Sequence, residues 1–337
     1  MAEGTRRNGG RGPTIRDVAT LAAVSVTTVS RYLNDQPYVS AEKAECIRAA
    51  MQRLGYRPSA VAQAFSRGTS RSVVVVASGL ELYGPVRTLS GIERAATKAG
   101  YAVRILIAGN EQAFGRLTGE LETQRPAGVI AIAYDDPGIS ALARLPASIP
   151  HVAICGGGID GASRQVSIAT YEAGRTVTEL LLSLGHSMVH HVAVPAREAG
   201  PGRTRGWLDA LHAHSCKVTD PIEVGWDSQD AYEAGRLLAN DPDCTAVFAG
   251  NDETAMGIIA GLASIGRRVP EDVSVAGMDG HPLGAVCQPP LTTFRLGFER
   301  AGAAAFSMLV SDGAACLWQS KNYGSGRAKI SGLTMTC

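Results

Sequence analysis

The chain has 337 residues, 45% of them apolar, which is enough for real cores and suggests a small module plus one large or two medium domains. It has 39 glycines but no glycine period and no sustained heptad, so fibrous and coiled-coil classes are excluded. The net charge of +1 hides an asymmetry: residues 1–71 hold 11 Lys or Arg against 5 Asp or Glu, a net of +6, and the remainder nets −5, so a polyanion partner is expected at one end only.

Thr14-Ile15-Arg16-Asp17 has the form of a capping box, with the Thr14 hydroxyl taking an orphaned amide and Asp17 in the positive first turn. Ile15, Val18, Ala19 and Ala22 then share one helical face. Ala23 and Val24 allow only a tight connection before Ser25, which can cap a second helix from Val26 to about Leu33. Two short helices this close, each with a narrow apolar face, predict a helix-turn-helix. Ser40 starts a third helix, whose Ile47, Ala50, Met51 and Leu54 complete the core before Gly55.

The exposed face of the second helix carries the function. Arg31 can donate two bonds to guanine, while Val26, Thr27 and Thr28, with Ser25 at the helix start, offer methyls and hydroxyls to base edges or phosphates. A plain three-helix bundle with a solvated polar face has the same geometry; the basic charge favours DNA. Residues 59–67 make barely two turns of mostly small residues, a helix that is marginal alone. Within it Phe65 suits a wedge pushed into a minor-groove base step, or alternatively a contact with the large domain.

Ile15-Arg16-Asp17-Val18-Ala19, Val24-Ser25-Val26-Thr27-Thr28-Val29-Ser30-Arg31 and Leu54-Gly55-Tyr56-Arg57-Pro58 resemble the head of the lactose/galactose repressor family of bacterial transcription regulators. The resemblance implies that Val26, Thr27 and Arg31 read an operator. It also implies that Phe65 stands where the family usually has a leucine, intercalating from a hinge helix that folds on DNA in the dimer. Phenylalanine there is a bulkier wedge.

Beyond Ser70, strands and helices alternate. Strands are expected at 72–77, 101–108, 128–133 and 151–155, with helices at 86–98, 113–124 and 139–145. A second series starts near Val166, with strands at 191–195, 221–224, 245–249 and 273–276 and helices at 171–184, 203–214, 230–239 and 252–265; residues 291–295 and a helix at 299–310 close the chain. Apolar strands bounded by helices imply parallel sheets covered on both faces. So many steps fit two doubly wound subdomains with a ligand cleft between their strand ends.

Gly128-Val129-Ile130, Leu184-Gly185-His186, Gly250-Asn251-Asp252, residues 269–277 and Pro289-Pro290-Leu291-Thr292-Thr293 resemble the periplasmic-binding-protein-like core of the same family. The expected fold is therefore α/β: a three-helix helix-turn-helix head and hinge helix, then two parallel-sheet subdomains. The expected boundaries are a head at 1–57, a hinge at 58–70, a first core subdomain at 71–163 completed by 291–337, and a second at 164–290. The family topology implies three crossings between the subdomains.

Arg203, Asn251 and Asp279 belong to loops or helix starts after strands and together supply donors and acceptors for a hydroxyl-rich ligand. Trp226 offers a flat wall, and Tyr83 with Glu81 a contribution from the first subdomain's loop. The resemblance matches Arg203, Asn251 and Asp279 to effector-contacting positions and Trp226 to an effector-flanking aromatic. On the residues alone, Asn251 and Asp252 also read as helix caps and Trp226 as core. Three departures stand out: Gly156-Gly157-Gly158 where relatives have a polar contact, Gly280 in place of a second acid, and a 79–85 loop without Asn-Pro-Phe.

Nothing reads as catalytic. Gly-x-Ser-x-Gly and His-Glu-x-x-His are absent, His190-His191 has no carboxylate or cysteine at metal spacing, and Ser40 with Lys43 simply opens a helix. Neither metal nor cofactor is expected. Seven cysteines without a C-x-x-C pair read as reduced thiols, residues 1–13 as neither signal peptide nor anchor, and no apolar run suits a membrane, so a cytoplasmic location is expected. The tail at 320–337 has no leucine heptad for a tetramerising coiled coil. The expectation is a ligand-responsive repressor, a homodimer on double-stranded operator DNA with a sugar or sugar-derived effector. A sugar-binding receptor would have an export signal and no basic head, and a sugar-metabolising enzyme would need a catalytic pair in the cleft.

Overall fold

The computed structural model describes residues 13–33, 38–56, 70–109, 115, 119, 121, 125–157, 159, 164–195, 202–311 and 318–319. Residues 1–71 and 72–337 form two compact units. Phe65 and nearly all of the expected hinge, most of the expected 113–124 helix and the tail from 320 lie outside the described residues.

The head holds helices α1 (Ile15–Leu21), α2 (Val26–Leu33) and α3 (Ala41–Leu54). The capping box forms in both directions: Thr14 N donates to the Asp17 carboxylate at 2.7 Å, and Asp17 N donates to Thr14 Oγ1 at 3.4 Å. Val18, Ala19 and Ala22 of α1 and its C-cap bury against Val29 of α2 and Ile47 and Ala50 of α3. Ser40 caps α3, and Gly55, at φ +62°, ends it.

The α1–α2 turn is set by Ala23, which adopts a left-handed φ of 52° while Val24 N closes back on Ala19 O at 3.0 Å. A Cβ in this region crowds the following carbonyl, so alanine is strained where glycine would be relaxed. Ala23→Gly is therefore expected to stabilise the head by about 1 kcal/mol, a roughly fivefold rise in amide-exchange protection at Val29 and Ile47 in the full chain. Unchanged protection would show that the turn stores no strain.

The core unit runs β1 (Ser70–Ala77), α4 (Tyr83–Lys98), β2 (Ala102–Ile107), β3 (Pro126–Ala133), α5 (Asp136–Ala143), β4 (His151–Gly156) and β5 (Gln165–Ile168). It continues with α6 (Thr170–Ser183), β6 (His190–Ala193), α7 (Arg203–Ala213), β7 (Ile222–Glu223), α8 (Ser228–Ala239), β8 (Ala246–Ala249), α9 (Asp252–Ser264) and β9 (Ser274–Asp279). A 3-10 turn (Pro282–Ala285), β10 (Thr292–Arg295), α10 (Phe298–Val310) and β11 (Trp318–Gln319) follow.

Among the described residues one sheet has the order β11-β5-β4-β3-β1-β2 and the other β10-β9-β8-β6-β7. The valine run explains the first. Val73, Val75 and Ala77 face α4 and α10 through Ile92, Ala301 and Phe306, while Val74 and Val76 face the opposite side with Leu121, Ala141 and Leu142. A strand covered on both faces has no reason to alternate polar with apolar.

Two expected boundaries shift. β5 pairs in parallel with β4, with Ile154 against Val166, so the first sheet extends past residue 164. β10 pairs in parallel with β9, with Thr293 against Gly277, so residues 292–295 belong to the second sheet and the return to the first begins at α10. Both strands are short segments beside a crossing, where hydrophobicity does not reveal which sheet a strand joins. The two crossings among the described residues thus lie at 168–170 and 295–298.

Candidate DNA-reading face and effector cleft

On α2, Ser25 Oγ accepts the Thr28 amide at 3.1 Å and shares a 2.8 Å hydrogen bond with the Thr28 hydroxyl. These two hydroxyls hold the helix start, and Thr28 is half-buried. Val26, Thr27 and Arg31 are exposed, whereas Val29 is fully buried, so one side of α2 is anchored and the other is presented to solvent. An anchored helix with a methyl, a hydroxyl and a guanidinium on its free face is chemically suited to base edges.

In the core unit a cleft of about 530 Å³, counting the space open to solvent, lies between the two sheets' strand ends, and Arg203, Trp226, Asn251 and Asp279 all line it. Arg203 begins α7 and donates from Nη1 to Gly250 O, which ties it to the loop after β8. Asn251 is both a cap and a wall: its Oδ1 accepts Thr254 N at 2.8 Å as the N-cap of α9, and the residue borders the cleft. Trp226 remains 36% exposed and is not core.

Asp279 ends β9 in a positive-φ backbone, 129°, and is buried. Non-glycine residues in such conformations cost roughly 1–3 kcal/mol and cluster at ligand clamps and active sites. Its carboxyl is held well above the usual carboxylate range by burial and by the neighbouring Asp252, with Arg203 opposing. Asp252 does not line the cleft; its oxygens accept from the Thr293 hydroxyl and from His281 N, both at 2.6 Å, pinning β10 and the loop after β9 to α9.

Tyr83 departs from its expected place, because it is absent from the cleft lining. Its amide donates to Glu253 Oε1 on α9 at 3.1 Å and its ring lies 4.6 Å from the His281 ring, so it joins the two subdomains beside the cleft. Glu81 is exposed and also outside the lining. The first subdomain instead contributes Ser78 and Asp135, which sequence reasoning missed. Asp135 caps α5, with Oδ1 accepting Ser78 Oγ at 2.6 Å and Gly138 N at 2.9 Å. Its signal was an acid two residues past a strand and just before Asp136-Pro137-Gly138. Gly280 has φ +76°, and a Cβ there would lie 2.9 Å from Arg295 Cγ, which accounts for glycine where an acid was expected. Gly156 ends β4 and does not line the cleft.

Arg203 owes its position to two glycines. A Cβ on Gly174 of α6 would stand 2.1 Å from Arg203 O, and one on Gly206 of α7 would stand 2.2 Å from Tyr171 O. Gly174→Ala is expected to cost roughly 1–3 kcal/mol by pushing the start of α7 away. Thermal unfolding checks this, and a wild-type midpoint would show that the helices can part without strain.

His191 and His186 are held by packing and hydrogen bonds within the second subdomain. His191 stacks on Phe248 with centroids 4.7 Å apart, bonds Phe248 O and the Thr204 hydroxyl, and is driven down to about 4 by burial. His186 spans the Thr245 and Ser274 hydroxyls, each at 3.0 Å. Among the described residues no three His, Cys, Asp or Glu side chains gather to hold a metal, and no helix is long and apolar enough to cross a membrane.

Comparison with known proteins matches residues 14–59 to the model described as bacterial regulatory proteins, lacI family, and residues 178–313 to a periplasmic binding protein-like domain. The HTH-type transcriptional repressor PurR of Pectobacterium carotovorum subsp. carotovorum is 30% identical over 304 residues, covering 88% of this chain and 89% of that one. The lac repressor dimer bound to operator and the anti-inducer ONPF matches with a TM-score of 0.76 at 27% identity, over 89% of this chain and 92% of that chain. A complex of the transcriptional regulator CelR with cellobiose matches at 0.64 and 28%, over 88% and 92%. With a helix-turn-helix head, a two-subdomain core and this extent of similarity, the chain belongs to the lacI family of bacterial transcription regulators, which are not enzymes.

Proposed function

We propose that the protein is a homodimeric repressor whose core binds a sugar or sugar derivative in the cleft and thereby alters the affinity of its heads for operator DNA. The observation that carries the effector reading is the convergence of Arg203, Asn251 and Asp279, from two helix starts and the end of a strand, on one cleft beside the flat Trp226. Such a set can satisfy the donors and acceptors of a buried polyol. The sugar complex of a relative is in keeping with it. In the head, Val26, Thr27 and Arg31 read base edges, and Ser25 and Thr28 orient them and meet the backbone. Effector and DNA are then linked through differential affinity for two arrangements of the core.

The test is an operator selected in vitro from a random pool, titrated with the full chain with and without sugars, sugar acids and sugar phosphates. At least one is expected both to raise the unfolding midpoint and to change operator affinity five- to 150-fold, about 1–3 kcal/mol of coupling. A panel that changes neither would sink the effector reading. Phe65, outside the described residues, belongs to this proposal as the central wedge. Phe65→Ala is expected to weaken operator binding about tenfold more than binding to random duplex, as unstacking is worth a few kcal/mol per step. Equal losses on both DNAs would remove the wedge.

A further inference from the structure

We infer that the cleft selects an uncharged carbohydrate, and that Asp135 is a specificity-determining residue that turns anionic relatives away. This rests on the effector reading above and narrows it to a chemical class. Among the described residues, the charged side chains lining the cleft are Asp135 from the first subdomain and Arg203 and Asp279 from the second. Among the described residues Arg203 is the only cation in this lining, and it stands with two acids and already donates to Gly250 O. A phosphate or carboxylate entering here meets no surplus positive charge. It would also have to desolvate against apolar surface, because Leu82, Pro85, Ile132, Ile168 and Phe298 supply much of the remaining wall. Burying an ion without a dedicated partner is strongly unfavourable, whereas hydroxyls need only donors and acceptors.

Asp135 is what makes the first-subdomain wall hostile to anions. Its Oδ1 is occupied by Ser78 Oγ at 2.6 Å and Gly138 N at 2.9 Å, so the carboxylate is fixed in place at the cleft rather than free to swing away. Asp279 faces it from the opposite wall, and burial favours the protonated form of that group. Among the described residues the lining thus sets acids against its one guanidinium and offers an incoming ion no surplus of positive charge. The same arrangement leaves hydroxyl recognition intact, through the Asn251 carboxamide, the Arg203 guanidinium and the two carboxyl groups.

The experiment uses matched probes on the full chain: pentoses, hexoses, 6-deoxyhexoses and disaccharides, each against its phosphate, uronate or amino counterpart, read by thermal shift and then by calorimetric titration. The expected result is that a neutral probe binds and its charged counterparts bind at least tenfold more weakly. In Asp135→Asn the discrimination against the anionic counterpart should shrink by tenfold or more while neutral binding changes less. Since Asp135 also caps α5, Asp135→Ser, which keeps a capping oxygen and removes the charge, repeats the test if the first variant unfolds. An anionic or amino probe that binds wild type as well as its neutral counterpart overturns this inference but leaves the effector reading standing. Unchanged discrimination in the folded variant removes Asp135 from the role. Silence across the whole panel counts against the effector reading itself and this inference with it.

Discussion

Arg31→Ala is expected to lower affinity for a selected operator by roughly 10- to 100-fold, since a bidentate arginine–guanine pair is worth about 1–3 kcal/mol of discrimination. Binding to random duplex should change far less, because there the lost charge is one phosphate-scale contact among several and the salt slope falls by about one or less. The asymmetry follows from how α2 is built. Val29 is buried and the Ser25–Thr28 bonds fix the helix start, so removing an exposed side chain on the far side leaves the scaffold as it was. Arg31→Lys separates charge from geometry: it keeps the cation but not the planar fork, so it should restore binding to random duplex and little of the discrimination. Fluorescence anisotropy on both DNAs at one salt concentration measures all three proteins. Equal losses on both DNAs for Arg31→Ala would mean that Arg31 anchors the backbone rather than reading a base.

The head was legible in the sequence because each of its signals is local. A cap, an apolar stripe and a tight turn lie within a few residues of one another, and Thr14, Ser25 and Ser40 each accept the amide expected of them. The alternation of strand and helix was equally plain, since a valine run such as 73–76 has few other uses. Sheet membership was not. β5 and β10 are four-residue strands at crossings, and their partners are chosen by the three-dimensional path. The cleft was half legible for a related reason. Arg203, Asn251 and Asp279 announce themselves as polar residues at strand-end loops and helix starts, but Asp135 and Ser78 meet only across 57 positions. Tyr83 illustrates the converse: an aromatic in the right loop, drawn onto His281 and Glu253 by contacts that no spacing encodes.

Asp252 should make the stability of the core fall as pH rises from about 4 to about 6, by an amount on the order of 3 kcal/mol. Burial lifts its carboxyl from 3.8 to about 6, outweighing the Thr293 and His281 hydrogen bonds that favour the anion. Between those values the folded chain keeps a proton that the unfolded chain has released. Unfolding therefore releases a proton and becomes easier with each step up in pH, and above about 6 the loss is complete. The carboxyl is nonetheless well placed, because one oxygen holds the Thr293 hydroxyl of β10 and the other the His281 amide. Asp252→Asn cannot ionise and sets an amide donor against one of those donors, so it should be less stable at pH 4, where the folded carboxyl keeps its proton, and lose the acid-side slope. The quantity to measure is the difference in unfolding free energy between the two proteins from pH 4 to 7, by denaturant titration. Asp279 shares this burial and feels the charge of Asp252, so the pair titrates together and the variant should also ease ionisation of Asp279 at the cleft. Parallel stability profiles for the two proteins would mean that Asp252 is already ionised in the folded core and that its hydrogen bonds, not its burial, decide its charge.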